Sequence, residues 1–310
     1  MKTKLWSALF ALYIVWGSTY LAIRFAVETL PPFLHGSLRF LVSGLILFIW
    51  RRSAGDEKPT TGQWKSTAII GTFLLLGGNG LVSLAEKTIP SGIAALVIAT
   101  VPFWLVLFEA FRSGGVKPTW KSIIGLIIGF GGVFLLIGPS EITGGSQSFD
   151  TFGIILLLIA PVLWALGSIY AKGADLPKST LLSTGMQMLA GSLALFIVGV
   201  GTGELNGFSF GDVSMRSWWG LIYLIIFGSL IGFVSYGYLL HNAPVSLMST
   251  YAYVNPVVAV FLGWVFAGEI LNARIAVASV IIIGSVILIN YAKQAKVKTE
   301  PLQALPEGDD

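Results

Sequence analysis

Ten stretches of mostly apolar residues, joined by short polar connections, run through this chain almost from end to end. They read as 5–27, 31–50, 66–85, 90–111, 120–138, 151–171, 178–201, 217–240, 244–267 and 271–292. Each holds about 20 residues, enough to cross roughly 30 Å of hydrocarbon as a helix. Only 11% of the residues are charged and 55% are hydrophobic, whereas a soluble domain carries roughly 25% charge. Such a chain cannot coat a globule with polar groups, so lipid is its main solvent. The expected fold is an all-α integral membrane protein with ten transmembrane helices. The chain has no cysteine, which removes disulfides, thiolate metal sites and cysteine nucleophiles. Its first residues imitate a signal peptide, with Lys2 and Lys4 before an apolar stretch. The stretch continues to Val27 with no small-residue cleavage pattern, so it reads as an uncleaved first span.

Basic residues set the orientation. With the N-terminus inside, cytoplasmic segments hold 14 of the 19 Lys and Arg residues. Lys87, Arg216 and Arg274 fall outside, and Arg24 and Arg39 fall within spans. The opposite orientation reverses this excess. Both termini are therefore expected in the cytoplasm, in a multi-pass protein of the inner (cytoplasmic) membrane. The pI near 9.2 reports topology, since the cations are scattered between apolar runs; no nucleic-acid partner is expected.

The chain also repeats. Pro90 and Pro102 map onto Pro244 and Pro256 at an offset of 154 residues. Gly17-Ser18-Thr19-Tyr20 maps onto Gly167-Ser168-Ile169-Tyr170 at 150, and Gly131-Gly132-Val133 onto Gly284-Ser285-Val286 at 153. Three pairings at nearly one offset indicate two five-span units, at 1–145 and 146–292, followed by a disordered cytoplasmic tail at 293–310. Five is odd, so the second unit enters the membrane from the opposite side. Inverted repeats of this kind are the architecture of carriers working by alternating access.

Several features together resemble the drug/metabolite transporter superfamily, in its EamA-type ten-span branch. They are Trp16-Gly17-Ser18, Leu38-Arg39-Phe40, the Pro102 and Pro256 helices, and Gly268-Glu269 closing span nine. The resemblance covers roughly residues 8 to 292. It implies a central cavity lined by spans one, three, four, six, eight and nine, with spans five and ten as scaffold. It also implies export of small metabolites, often amino acids or related compounds. Glu109-Ala110-Phe111-Arg112 departs from the pattern where a Gly-Glu pair would close span four.

Arg39 is the most informative single residue. It lies about seven residues into span two, some 10 Å deep, where an arginine costs about 2.5–3.5 kcal/mol on insertion scales. It needs a substrate carboxylate, a gating role, or a structural partner such as a backbone carbonyl, Glu28 or Glu86. The other expected substrate-binding residues are Trp16, Tyr20, Asn79, Trp104, Trp164, Tyr170, Tyr236, Tyr251 and Asn255, with Pro102 and Pro256 as helix breaks. Aromatic walls suit amphipathic solutes and cations; an interfacial aromatic belt is the competing account, and it claims Trp6, Trp50, Trp218 and Trp219. Glu86 and Glu109 are span-end carboxylates able to carry a coupling proton, Glu109 having Arg112 close by as an ion-pair partner. His35 and His241 read as interfacial. Gly125 and Gly129 form a GxxxG that packs against span ten or a second subunit, so a monomer and a homodimer both stay open. Glu269 is expected to cap the turn into span ten.

The leading expectation is a secondary carrier exporting small amphipathic metabolites, possible substrates including drugs. A passive uniporter or channel-like facilitator is the alternative. Exchange of phosphorylated solutes wants several deep cations and finds only Arg39. No carboxylate precedes residue 28 and none lies between 151 and 171, which removes the first-span carboxylate mechanism of four-span multidrug carriers. No Walker-type loop, nucleophile–base set or metal-ligand cluster is legible, so neither an enzyme nor a cofactor is expected.

Overall fold

In lipid, backbone N–H and C=O groups find no partner outside the chain, so apolar segments wind into helices that satisfy themselves. The computed structural model describes residues 2–112, 117–137, 150–243 and 250–299. Its helices are α1 (Lys2–Ala26) and α2 (Pro32–Ser53), then α3 (Thr61–Ala85), α4 (Ser91–Phe111) and α5 (Trp120–Ile137). After them come α6 (Thr151–Ala171), α7 (Thr180–Gly201), α8 (Met215–Leu239), α9 (Tyr251–Ala267) and α10 (Ala273–Thr299). Eight of these, α1 to α8, are long and apolar enough to cross a membrane; α9 and the apolar part of α10, Ala273–Ile289, are shorter. No strand occurs among the described residues.

Short polar residues start the helices where the apolar runs begin. Asp150, Ser179 and Ser214 each accept a backbone N–H three residues on, and Thr60 with Gln63 closes a capping box. Gly268, at φ +65°, ends α9 in the left-handed conformation, letting the Glu269 N–H reach back to the Gly263 carbonyl at 3.1 Å. Two expectations meet limits here. Pro244 and the boundary between the proposed repeats lie outside the described residues. The segment read as a disordered tail is helical as far as Thr299, because Ala, Lys and Gln wind readily where hydrocarbon ends.

Three helices depart from α geometry. Residues Thr72–Gly80 of α3 and Leu224–Ile231 of α8 are π-helical, and the two stretches begin at residues 72 and 224. In α4, helix Ser91–Ile98 stops and helix Val101–Phe111 starts, with Pro102 in the first turn of the second piece.

The most extensive pairings are α2 with α7, α1 with α8, α3 with α6 and α5 with α10, followed by α3 with α7, α1 with α9 and α4 with α6. Glycines permit the closest of them. A Cβ on Gly44 would stand 3.0 Å from the Gly185 carbonyl oxygen and 3.0 Å from the Leu189 nitrogen, so α2 and α7 touch backbone to backbone. Gly125 faces Ile289 of α10 at 2.6 Å on the same measure, and Gly129 faces the Phe103 ring of α4 and Ser285 of α10. The GxxxG thus packs within the chain. The lipid-facing sides carry exposed Ile127, Phe134, Leu193, Ile197 and Phe261, with Trp6, Trp50 and Trp219 at helix ends.

Gly44→Leu is expected to lower stability by about 1–3 kcal/mol through overpacking of the α2–α7 contact. Gly131→Ala, at a helical site with open space around the added methyl, should keep or slightly raise the melting temperature of the detergent-solubilised protein.

Candidate functional site

The departures from α geometry converge on one place. A cavity of about 190 Å³ lies midway along the bundle, lined by residues of α1, α2, α3, α4, α6, α8 and α9. Of the residues picked from the sequence, Trp16, Tyr20, Arg39, Asn79, Trp164, Tyr251 and Asn255 border it, with Pro102 and Pro256. Tyr236 stacks behind Trp16 at 5.4 Å, and Tyr251 meets the same indole edge-on at 5.3 Å. Trp104 and Tyr170 do not border it. Trp104 packs on Phe130 of α5 at 5.5 Å, because two residues past Pro102 is about 200° around the helix. Tyr170 is 40% exposed, being about 240° around α6 from Trp164.

Irregular backbone supplies the cavity's polar groups. The Trp16 indole N–H donates to the Gly228 carbonyl at 3.2 Å, and Arg39 Nε donates to Ser229 Oγ at 3.0 Å. Both acceptors sit in the π stretch of α8, where the helical ladder is widened. In α3 the Asn79 amide donates to the Leu74 carbonyl at 3.4 Å, within the other π stretch. Pro256 has no N–H for the Ala252 carbonyl, and Ala252 also borders the cavity. Asn255, with its amide oriented to suit its neighbours, donates to the carbonyls of Tyr13 and Tyr251 at 3.2 Å each. It ties α9 to α1. Two glycines seat the tryptophans: Gly78 of α3 under Trp164 of α6, and Gly232 of α8 under Trp16 of α1.

Arg39 is 4% exposed, and its guanidinium also lies 4.8 Å from the Phe40 ring. Neither carboxylate weighed as its partner is paired with it. Glu28 pairs with Arg216 at 3.1 Å, and Glu86 has Arg24 beside it. Among the described residues no carboxylate comes within ion-pair distance of Arg39. The contribution of α2 to the cavity wall goes beyond the helix set implied by the family resemblance.

The bundle's two ends carry the remaining charges. At the end where α1 begins, Glu109 pairs with Lys172 of α6 and, at 3.6 Å, with Arg112, and Tyr13 hydrogen-bonds to Thr250. At the far end, Glu269 does not cap the turn into α10. Its carboxylate accepts from Ser91 N at 2.6 Å, Ser91 Oγ at 2.7 Å and Gly92 N at 2.9 Å, and so caps α4. The left-handed Gly268 turns the side chain back across Gly263, towards the free N–H groups of α4. Glu204 caps α2 in the same manner, through Phe33 N and Leu34 N. His35, expected at an interface, is buried; the His241 side chain lies outside the described residues.

Glu86 follows the last residue of α3 and is 0% exposed. The Arg24 guanidinium donates to the backbone carbonyl of Glu86, while its two carboxylate oxygens accept no hydrogen bond. Burial, then the nearby Glu269, raises its proton affinity well above the usual carboxylate range, against the pull of Arg24.

An apolar exterior, membrane-length helices and a polar-floored cavity at mid-depth define a multi-pass membrane transporter. The chain belongs to the EamA-like transporter family, whose pattern matches residues 5–138 and again 151–291. It is 38% identical to the uncharacterized inner membrane transporter YedA of Escherichia coli (strain K12), over 93% of this chain and 91% of that protein. It is 23% identical to the uncharacterized transporter YvbV of Bacillus subtilis (strain 168), over 95% and 94% of the two chains. One solved crystal structure shares the fold with a TM-score of 0.62 at 21% identity, covering 96% of this chain and 99% of that one.

Glu269→Ala leaves three donors of α4 without their acceptor, two of them backbone N–H groups. A loss of about 1–3 kcal/mol is expected, measured by thermal unfolding in detergent, with a smaller loss for Glu269→Gln.

Proposed function

We propose that the protein is a secondary carrier that exports a small amphipathic metabolite with a carboxylate group, such as an amino acid or a related compound, by alternating access. The observation that carries this reading is Arg39, a buried cation on the cavity wall with no carboxylate within ion-pair distance among the described residues. An arginine taken out of water needs an anion or several acceptors, and among the described residues Ser229 Oγ accepts from its Nε. The aromatic walls take the apolar part of the solute.

Size narrows the class. An apolar cavity of about 150 Å³ accommodates benzene, so about 190 Å³ suits one ring or a short branched chain. A nucleotide sugar is far larger and would bring two phosphates to one guanidinium. The bonded seams at both ends, Tyr13 to Thr250 and Glu269 to α4, argue against a permanently open channel.

Alternating access finds support in the packing. Exchanging α1 with α6, α2 with α7, α3 with α8, α4 with α9 and α5 with α10 maps the principal helix pairings onto one another. The same exchange relates the two π stretches and the two tryptophan–glycine seats. In this reading the two repeats are inverted, α9 and α10 complete ten spans, both termini are cytoplasmic and the far end faces outward.

Thermal stability of the purified protein should rise with amphipathic carboxylates, by about 2.7 kcal/mol at a hundredfold excess over Kd. The matching carboxamides should give no shift, and Arg39→Gln should abolish the response to carboxylates. Equal stabilisation by acid and amide would remove Arg39 from the site.

A further inference from the structure

Two carboxylates at the far end of the bundle stand under opposite conditions, Glu86 sealed from solvent and Glu269 half-buried. Glu269 has three donors aimed at it, two from backbone and one from a hydroxyl. Glu86 has none on either oxygen and is sealed from water. When two interacting acids differ this much, the proton goes to the one without donors. The neighbours of Glu86 can be named. From α1 come Arg24, which holds its backbone carbonyl, and Tyr20, which borders the cavity. From the end of α9 comes Glu269. On the side of α6 the nearest charge in sequence is Asp150, engaged by Thr88 and the Gly153 N–H. On α2 the titratable side chains of this half are His35 and Arg39.

We propose that Glu86 is a proton-binding site, and that losing its proton loosens the Glu269 bridge between α9 and α4. The geometry gives the direction. With Glu86 neutral, Glu269 is the carboxylate that the α4 terminus holds, and the three hydrogen bonds keep the far end shut. With Glu86 ionised, a second negative charge enters the neighbourhood of Glu269, opposed among the described residues by Arg24, and the bridge weakens. Closure is therefore favoured while Glu86 is protonated and Glu269 ionised, and is lost as pH rises through the titration of Glu86. Tyr20 and Arg24 stand about one helical turn apart on α1, and Tyr20 borders the cavity, so the proton and the solute bear on one helix. The inference deepens the carrier reading and rests on it for its transport consequence; the proton site itself does not.

Both parts can be read without a solute. The chain lacks cysteine, so Lys87→Cys and Leu271→Cys place two spin labels at exposed far-end positions. In lipid nanodiscs the distance between them should lengthen with rising pH. In Glu86→Gln it should stay short at every pH, while Glu86→Asp should still titrate. Infrared difference spectra of the unlabelled protein should show a neutral carboxylic acid carbonyl that disappears on raising the pH and is missing in Glu86→Gln. Persistence of that band in Glu86→Gln overturns the proton site. A distance that titrates in Glu86→Gln as in the parent, or titrates in neither, overturns the coupling to the bridge. Neither readout involves transport, so failure to find a carried solute and failure of this inference remain distinguishable.

Discussion

Hydrocarbon offers nothing to a backbone carbonyl, and this one constraint organises the molecule. Every departure from a regular helix has to be turned inward, where protein can answer it. The two π stretches, the break at Ala99–Thr100 and the missing N–H of Pro256 all point to the same central space. The cavity is thus a product of where the helices fail to be regular. The π stretch of α8 supplies the acceptors of two of the cavity's polar side chains, the Gly228 carbonyl for Trp16 and the Ser229 hydroxyl for Arg39.

Charge obeys the same constraint. Several buried or half-buried charges near the far end are spent on backbone, Glu269 on α4, Glu204 on α2 and Arg24 on the Glu86 carbonyl, whereas the Glu86 carboxylate accepts no hydrogen bond. Those near the opposite end pair with one another in more exposed settings. Arg39 fits neither pattern. It is deep, and a serine hydroxyl answers one of its N–H groups. That exception makes the cavity electrically specific.

Much of this was legible in the sequence. Apolar run length located the helices, and the depth of Arg39 within its run marked it before any neighbour was known. Tryptophan and tyrosine were less readable, because residue type does not say which way a side chain points around its helix. Trp164 and Trp104 are alike in composition of surroundings, yet only Trp164 borders the cavity. The π stretches were hidden because FLLLGGNG and LIIFGSL read as ordinary apolar helix; their glycines were the available signal. The Glu269–Ser91 and Arg24–Glu86 contacts span 178 and 62 residues. Such pairs exist only once the helices have packed, and no local pattern announces them.

The interruption in α4 divides labour between its two halves. The half beginning at Ser91 is held by Glu269, while the half beginning at Val101 is held through Phe103 against Gly129 and Glu109 against Lys172. Between those anchors lie Ile98, Val101 and Leu105, which face the cavity and belong to neither. Substitutions there reshape the space offered to a solute while both attachments stand. Lineages carrying this scaffold can therefore change what they accept without renegotiating how they fold.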